Sequence, residues 1–407
     1  MKIALVSIVS EVHDEKKVDQ SLDSQIKILE DNFEIEEVPA DEIPFTNFNE
    51  YDLTINFIKT GGSEATFAEN VEYLPQPAYL LATELNNSLP AALEILSFLN
   101  AENLSGKILH GDMEEVAAEI EELAAYKKVR DEIAAAKFGI IGQPSDWLIG
   151  SKVDYDHAAH HWGSEFVDIE LDQLYQALKQ VDSAKAKRIA ADFLENASDI
   201  VESSKADLVE AAKIYLALKD VIAKNDLDVI TIRCFDIVKK LNTTGCLALS
   251  LLNNEGLIAG CEGDVPAAFT MFLAYQLTGV MPFMANPAAI DKKNDEILFA
   301  HCTVATDISD DYIIRSHFET GIGVGIQGIL ETGPVTVFKI GGAGLEQYFV
   351  AEGEIIENLD SPNACRTQLK ISLPQSSDYF LNDSIGNHHI IIPGYHADII
   401  NEFLGME

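Results

Sequence analysis

The segment LIAGCEGDVPAAFTMFLAYQLTG places a carboxylate, Glu262, at the end of an apolar run and just ahead of a helix. Asp264 has the position of an N-cap and Pro266 falls in the first turn, so the spacing predicts a helix running to Gly279. In α/β sheets the strand-to-helix corner is where ligands bind. A glutamate at such a corner either caps local amides or holds a metal or a substrate. Other candidate donors lie far away in sequence. His301 ends the apolar run LFAHC, and His388 and His389 sit side by side in GNHHIIIPGYH, ahead of a strand. A site made of Glu262, one further group and a histidine suits a hard divalent cation such as Mn²⁺ or Mg²⁺. His157, His160 and His161 share a helix with no carboxylate partner and read as a solvated face. Trp147, beside the turn Pro144-Ser145-Asp146, is placed either to pack in a core or to stack on a sugar face.

These residues need a scaffold, and the pattern along the 407 residues supplies one. Lys2–Ser10 is an apolar strand, and strands at 33–38, 51–58, 77–83 and 105–110 alternate with helices. The helix opening at Asn87-Ser88-Leu89-Pro90 and the long helix capped by Asp112 carry the strongest start signals. Such alternation implies a parallel sheet. A first α/β domain is expected over 1–150. A second, over 151–305, carries GCEGD and ends in a strand at Ile297–Cys302. Beyond 306 the alternation of Tyr312–Gln327, Val335–Ile340, Phe349–Ile356 and Gln368–Leu373 predicts an antiparallel β domain or barrel, closed by a helix at Ala397–Leu404. Glu331-Thr332-Gly333-Pro334 reads as a hairpin turn. The fold class is therefore α/β: two doubly wound α/β domains followed by an antiparallel β-barrel-like C-terminal domain. Gly321, Gly323, Gly325 and Gly328 do not form a phosphate loop, because no helix follows them; close packing in a twisted strand accounts for them.

Composition narrows the partners. With 67 acidic and 28 basic residues the net charge is −39, which argues against nucleic acid and anionic membranes. Only five arginines are present (Arg130, Arg188, Arg233, Arg315 and Arg366), so a phosphate site built of arginine forks is not expected. Five scattered cysteines without a CxxC point to a reducing compartment. With neither a signal-peptide pattern at the N-terminus nor a run long enough to span a bilayer, the chain reads as soluble and cytoplasmic.

Taken together, RCFD, CLALSLLNNEG, GCEGD, the helix ending LTG, the HC strand and the late NHH resemble the L-fucose/L-arabinose isomerase family. NSLPAALE and IGQPSDWLI resemble the N-terminal domain of its shorter members. The resemblance covers most of the chain in the right order. It implies two α/β domains and a β-barrel-like domain, a homotrimer or homohexamer, a small sugar as substrate, and Mn²⁺ or another divalent cation as cofactor. It implies aldose–ketose interconversion through a cis-enediol, with the sugar chelated and its carbonyl polarised by the metal. Under this resemblance Glu262 is metal ligand and base, and His388 is a metal ligand, with His389 as the near alternative. The family's second carboxylate falls at Asn286, which can ligate through its carbonyl oxygen but cannot act as a base; Asp291 lies five residues on. Asn286, His301 and Asp264 are expected to line the site, and Trp147 to help close it across a subunit boundary. Two rival readings are a lyase or epimerase on the same scaffold and a non-catalytic or regulatory sugar-binding protein.

Overall fold

The structure, a computed structural model, describes residues 1–405 and separates into two compact units, Met1–Arg130 and Asp131–Gly405. The first unit contains β1 (Lys2–Ile8), α1 (Glu15–Asn32), β2 (Glu34–Pro39), β3 (Leu53–Ile58), α2 (Glu64–Asn70), β4 (Ala78–Ala82), α3 (Ser88–Ala101), β5 (Gly106–Leu109) and the start of α4 (Met113–Ala135). Its five strands are parallel, in the order β2-β1-β3-β4-β5. β3 and β4 are buried along their whole length, as a parallel sheet covered by helices requires.

The second unit begins with another parallel sheet. Its elements are β6 (Lys137–Ile141), α5 (Tyr155–Trp162), β7 (Glu165–Ile169), α6 (Leu171–Leu178), α7 (Ser183–Glu195), β8 (Asp199–Ile200), α8 (Lys205–Asn225), β9 (Val229–Ile232), α9 (Cys234–Leu241), α10 (Cys246–Asn254), β10 (Ile258–Cys261) and α11 (Val265–Thr278). The sheet order is β10-β9-β6-β7. α11 is apolar all round and its first ten residues are buried, which marks a helix enclosed within the protein rather than one on its surface.

The chain continues through β11 (Phe283–Asp291), β12 (Glu296–His301), β13 (Asp311–Arg315), β14 (Gly325–Ile329), β15 (Gly333–Gly341), β16 (Gln347–Asn358), β17 (Thr367–Ser372), β18 (His389–Pro393) and α12 (Ala397–Gly405). Six of these strands close into an antiparallel barrel in the order β11-β12-β17-β16-β15-β18. Closure leaves no strand edge free. Its interior residues Phe283, Ile297, Phe299, Val335, Val337, Leu369, Ile371 and Ile391 belong to one buried cluster that also takes in Leu208 and Leu247 of the helices.

The α/β fold with parallel sheets and a C-terminal closed barrel matches the reading of the sequence. Several local expectations are corrected. Ile297–Cys302 is not the last strand of the second parallel sheet; it supplies β12 of the barrel. A short apolar strand reads alike in both settings, so pattern alone cannot separate them. Tyr312–Gln327 is not one strand but β13, a loop and β14; β13 pairs with both β14 and β8 in a small sheet outside the barrel. Glu331–Pro334 therefore joins two sheets rather than two strands of a hairpin. Gly321 and Gly323 lie in the intervening loop at φ +66° and +61°. A Cβ on Gly323 would come within 2.8 Å of Thr244 Oγ1, which is why that position is glycine.

Candidate active site

The corner after β10 is built as its sequence predicts, and more tightly. Asp264 is the N-cap of α11: its Oδ1 accepts from the Ala267 N–H at 2.8 Å. Glu262 and Gly263 both sit at positive φ, +62° and +70°. For Gly263 no other residue fits, because a Cβ would lie 2.6 Å from the Gln143 carbonyl oxygen. For Glu262 the left-handed backbone costs about 1 kcal/mol or more, a strain that collects at functional sites. The surroundings hold it there. The Glu262 carbonyl accepts from the Ser145 N–H at 3.1 Å, and the Gly263 N–H donates to Ile232 O at 3.0 Å.

The Glu262 side chain is met from three directions. Trp147 Nε1–H donates to Oε2 at 2.7 Å. His388 Nε2 stands 3.7 Å from Oε1. His301 completes a group in which one donor atom from each of Glu262, His301 and His388 lies within 4.8 Å of the others. These residues come from separate strand ends: Glu262 follows β10, His301 closes β12 and His388 immediately precedes β18. The rings of His301 and His388 meet edge to face at 5.5 Å between centroids. Glu262 and Trp147 also line a cavity of about 330 Å³ with Phe235, Asn286, Glu319 and Asn387, a volume suited to a small ligand.

Each histidine is fixed through its other nitrogen. His301 Nδ1 pairs with Thr303 Oγ1 at 2.8 Å. His388 Nδ1 pairs with Asp264 Oδ2 at 2.8 Å. Asp264 thus caps α11 with one oxygen and orients His388 with the other, which is how second-layer carboxylates steer metal-ligating histidines. Behind it stands Lys339, fully buried, with Nζ 3.9 Å from Asp264 Oδ1 and no hydrogen-bond partner.

The charges follow from this packing. Burial alone would raise the Glu262 carboxyl, but the neighbouring His388, 3.7 Å away, holds it down at about 2. Burial likewise opposes ionisation of Asp264, and Lys339 and His388 overcome it, leaving about 2. His388 resists charging because it is buried, yet its two carboxylate neighbours raise it to about 9. His301 is pushed the other way, to about 3, by burial and by the charge of His388.

Of the residues expected at the site, Glu262, His301 and His388 converge. Asn286 lines the same cavity from β11, and its Oδ1 is buried without a partner. Asp264 is fully buried and positions rather than lines. Trp147 reaches Glu262 within its own chain and is 46 % exposed, so it sits at the cavity mouth and not in a core. His389 is not brought to this group. Adjacent strand residues point to opposite faces, and its Nε2 pairs with Tyr379 Oη while its Nδ1 pairs with Asn387 O, among Phe299, Phe349 and Phe380. Asp291 is also elsewhere, closing its own turn through Lys293 and Asn294. His157, His160 and His161 are exposed on α5. Sequence reasoning missed Glu319, Asn387 and Phe235 as lining residues and Lys339 as the cation behind Asp264. Only Lys339, a charge amid the apolar strand VTVFKIGG, carries a visible signal.

No family model matches the chain. It is similar to the sulfoquinovose isomerase of Alkalicoccus urumqiensis, 22% identical over 331 residues that cover 78% of this chain and 73% of that protein. It is also similar to the sulfoquinovose isomerase of Clostridium sp. (strain MSTE9), 25% identical over 231 residues, 53% of this chain and 49% of that protein. A third likeness, to the sulfoquinovose isomerase of Priestia aryabhattai, is 26% over 129 residues and covers 30% of this chain and 29% of that protein. Among the described residues, no helix is long and apolar enough to cross a membrane. The likenesses support a sugar isomerase family in general rather than the L-fucose/L-arabinose isomerases by name, and the chain is an enzyme, an aldose–ketose isomerase.

Proposed function

We propose that the chain interconverts a small open-chain aldose and its ketose through a cis-enediol, with a divalent metal at Glu262, His301 and His388 and with Glu262 as the base. The observation that carries this reading is the convergence of one carboxylate and two imidazoles from three strand ends, with the carboxylate, Glu262, also lining a cavity of small-sugar size.

The donor set fits a divalent cation. His388 Nε2 and Asn286 Oδ1 are both buried without a partner, which is costly unless something else satisfies them. Glu262, His301 and His388 would hold the ion and Asn286 would add a neutral oxygen. Oxygen and imidazole donors together suit Mn²⁺ among the common ions. When bound, the cation polarises the sugar carbonyl and acidifies the neighbouring C–H. The chain's own groups do the rest. Trp147 pins Glu262 Oε2, Asp264 sets the His388 ring, and Glu262 takes the C2 proton and returns it to C1.

The relatives are described as acting on sulfoquinovose, so that sugar is one candidate. The lining residues of the cavity include two carboxylates, Glu262 and Glu319, and no lysine or arginine, which favours an uncharged sugar held within a single chain. Activity as an L-fucose- or L-arabinose-type isomerase is the corresponding candidate. A homotrimer or homohexamer with a neighbour's surface against the exposed Trp147 and Ile149 agrees with this reading, as does a location in the cytoplasm.

The test is solvent exchange at C2. The protein with Mn²⁺ is incubated in deuterated buffer with pentoses, 6-deoxyhexoses and sulfoquinovose. Deuterium entering one sugar together with formation of its ketose is expected, with loss on chelation and recovery on adding Mn²⁺. Glu262→Gln is expected to abolish turnover with the fold intact. A parent protein that exchanges no sugar, or a Glu262→Gln variant that keeps its rate, overturns the proposal.

A further inference from the structure

Converting an aldose to a ketose moves two hydrogens. One travels from C2 to C1; the other leaves the C2 hydroxyl and ends on the C1 oxygen. A carboxylate placed over the carbons accounts for the first transfer only. The cavity is lined by a second carboxyl group, Glu319, besides Glu262.

Glu319 is carried by the loop between β13 and β14, and that loop is tied down at both ends. At its start Ser316 receives three contacts: its N–H donates to Glu202 Oε2 at 3.1 Å, its carbonyl accepts from Arg366 Nε at 2.8 Å and its Oγ pairs with Arg366 Nη2 at 3.0 Å. At its end the Val324 N–H donates to Thr244 Oγ1 at 2.8 Å. Within it the His317 N–H donates to Ile322 O at 3.0 Å and the Gly321 N–H to His317 O at 2.8 Å. The ring of His317 packs edge to face on Phe235 at 5.5 Å, and Phe235 does the same against Trp147 at 5.1 Å. One continuous wall thus runs from the residue that holds Glu262 to the loop that presents Glu319.

We infer that Glu319 is a second catalytic residue of the isomerisation, carrying the proton of the sugar oxygens while Glu262 carries that of the carbons. This rests on the isomerase reading above. The two carboxyl groups have environments that divide the roles. Glu262 has one oxygen fixed by the Trp147 N–H, whereas Glu319 reaches the same cavity from the separately anchored β13–β14 loop, where burial raises it above the usual carboxyl range. The transfers balance. Glu262 carboxylate takes the C2 proton, the C2–H pair becomes the C1=C2 bond, and the C1 carbonyl pair moves to O1, which takes the proton of Glu319. The O2 hydroxyl then returns its proton to Glu319, the O2 pair forms the C2 carbonyl, and C1 takes the proton back from Glu262. Both carboxyl groups end as they began.

The experiment compares the parent, Glu319→Gln and Glu319→Asp, each loaded with Mn²⁺, on the sugar the parent turns over. Glutamine keeps the shape and removes the proton carrier, so kcat is expected to fall on the order of 100-fold while KM stays within threefold. Aspartate keeps a carboxyl one methylene short and is expected to fall between the two. A Glu319→Gln enzyme with kcat within threefold of the parent, or one altered in KM alone, overturns the inference and leaves the isomerase reading standing. A parent without turnover on any sugar defeats that reading and this inference with it.

Discussion

Asp264→Asn isolates what the second oxygen of Asp264 does. In the parent, Asp264 Oδ2 accepts from His388 Nδ1, which makes Nε2 the nitrogen that faces Glu262 and would take the proposed metal once its own proton is displaced. Asparagine keeps the helix cap, since it caps as well as aspartate. Its amide nitrogen, however, can donate to His388 Nδ1. The ring then carries its proton on Nε2 and loses the ligating lone pair, the same inversion of tautomer that inactivates a serine-protease triad when its aspartate becomes asparagine. Loss of a second-layer carboxylate costs roughly 10–100-fold in metal affinity, or about 1.4–2.7 kcal/mol. Asp264→Ala loses the cap as well and is expected to be less stable than Asp264→Asn by about 1 kcal/mol. Titration calorimetry with Mn²⁺ and urea unfolding read the two effects separately. An Asp264→Asn protein that binds Mn²⁺ as tightly as the parent refutes the tautomer argument.

Two further outcomes follow from the same centre. His388 is raised to about 9 without metal, so metal must displace its second proton; Mn²⁺ affinity is expected to rise about tenfold per pH unit from pH 6 to 8 and to level off above about 9, and calorimetry showing a flat profile contradicts this. Without metal, the stability that His388 contributes is complete below its ordinary value near 6.5 and lost as pH rises through 9, whereas that of Asp264 is complete above about 4 and lost as pH falls through 2. Trp147→Phe removes the hydrogen bond to Glu262 Oε2, worth about 1.5 kcal/mol for a charged acceptor. kcat should drop roughly tenfold at little cost to KM; a change in KM alone would mean that the indole serves the sugar rather than Glu262.

Much of this centre could be read from local sequence, and the limits are local too. Asp264 as a cap is written in Asp-Val-Pro because capping involves only the next three residues. Its bond to His388 spans 124 residues, and no local pattern encodes that. The two adjacent histidines promised one ring at a strand mouth; which one is decided by the pleat and by the partners of His389, both tertiary facts. The barrel was legible in the alternation after Val335 but not in Ile297–Cys302, whose short apolar run fits a parallel sheet as well. Glu319 lies in an irregular loop of an acidic chain, where one more glutamate gives no signal.

The donors His301 and His388 stand at the ends of barrel strands, and Glu262 stands on the parallel sheet. The centre therefore exists only once both layers have docked, since its donors come from strands far apart in the chain. An ion bound at the proposed centre would act as a clasp between the layers. It would stabilise the assembled form by mass action, about 2.7 kcal/mol at a hundredfold excess over the dissociation constant, and denaturation of this unit would then report metal supply.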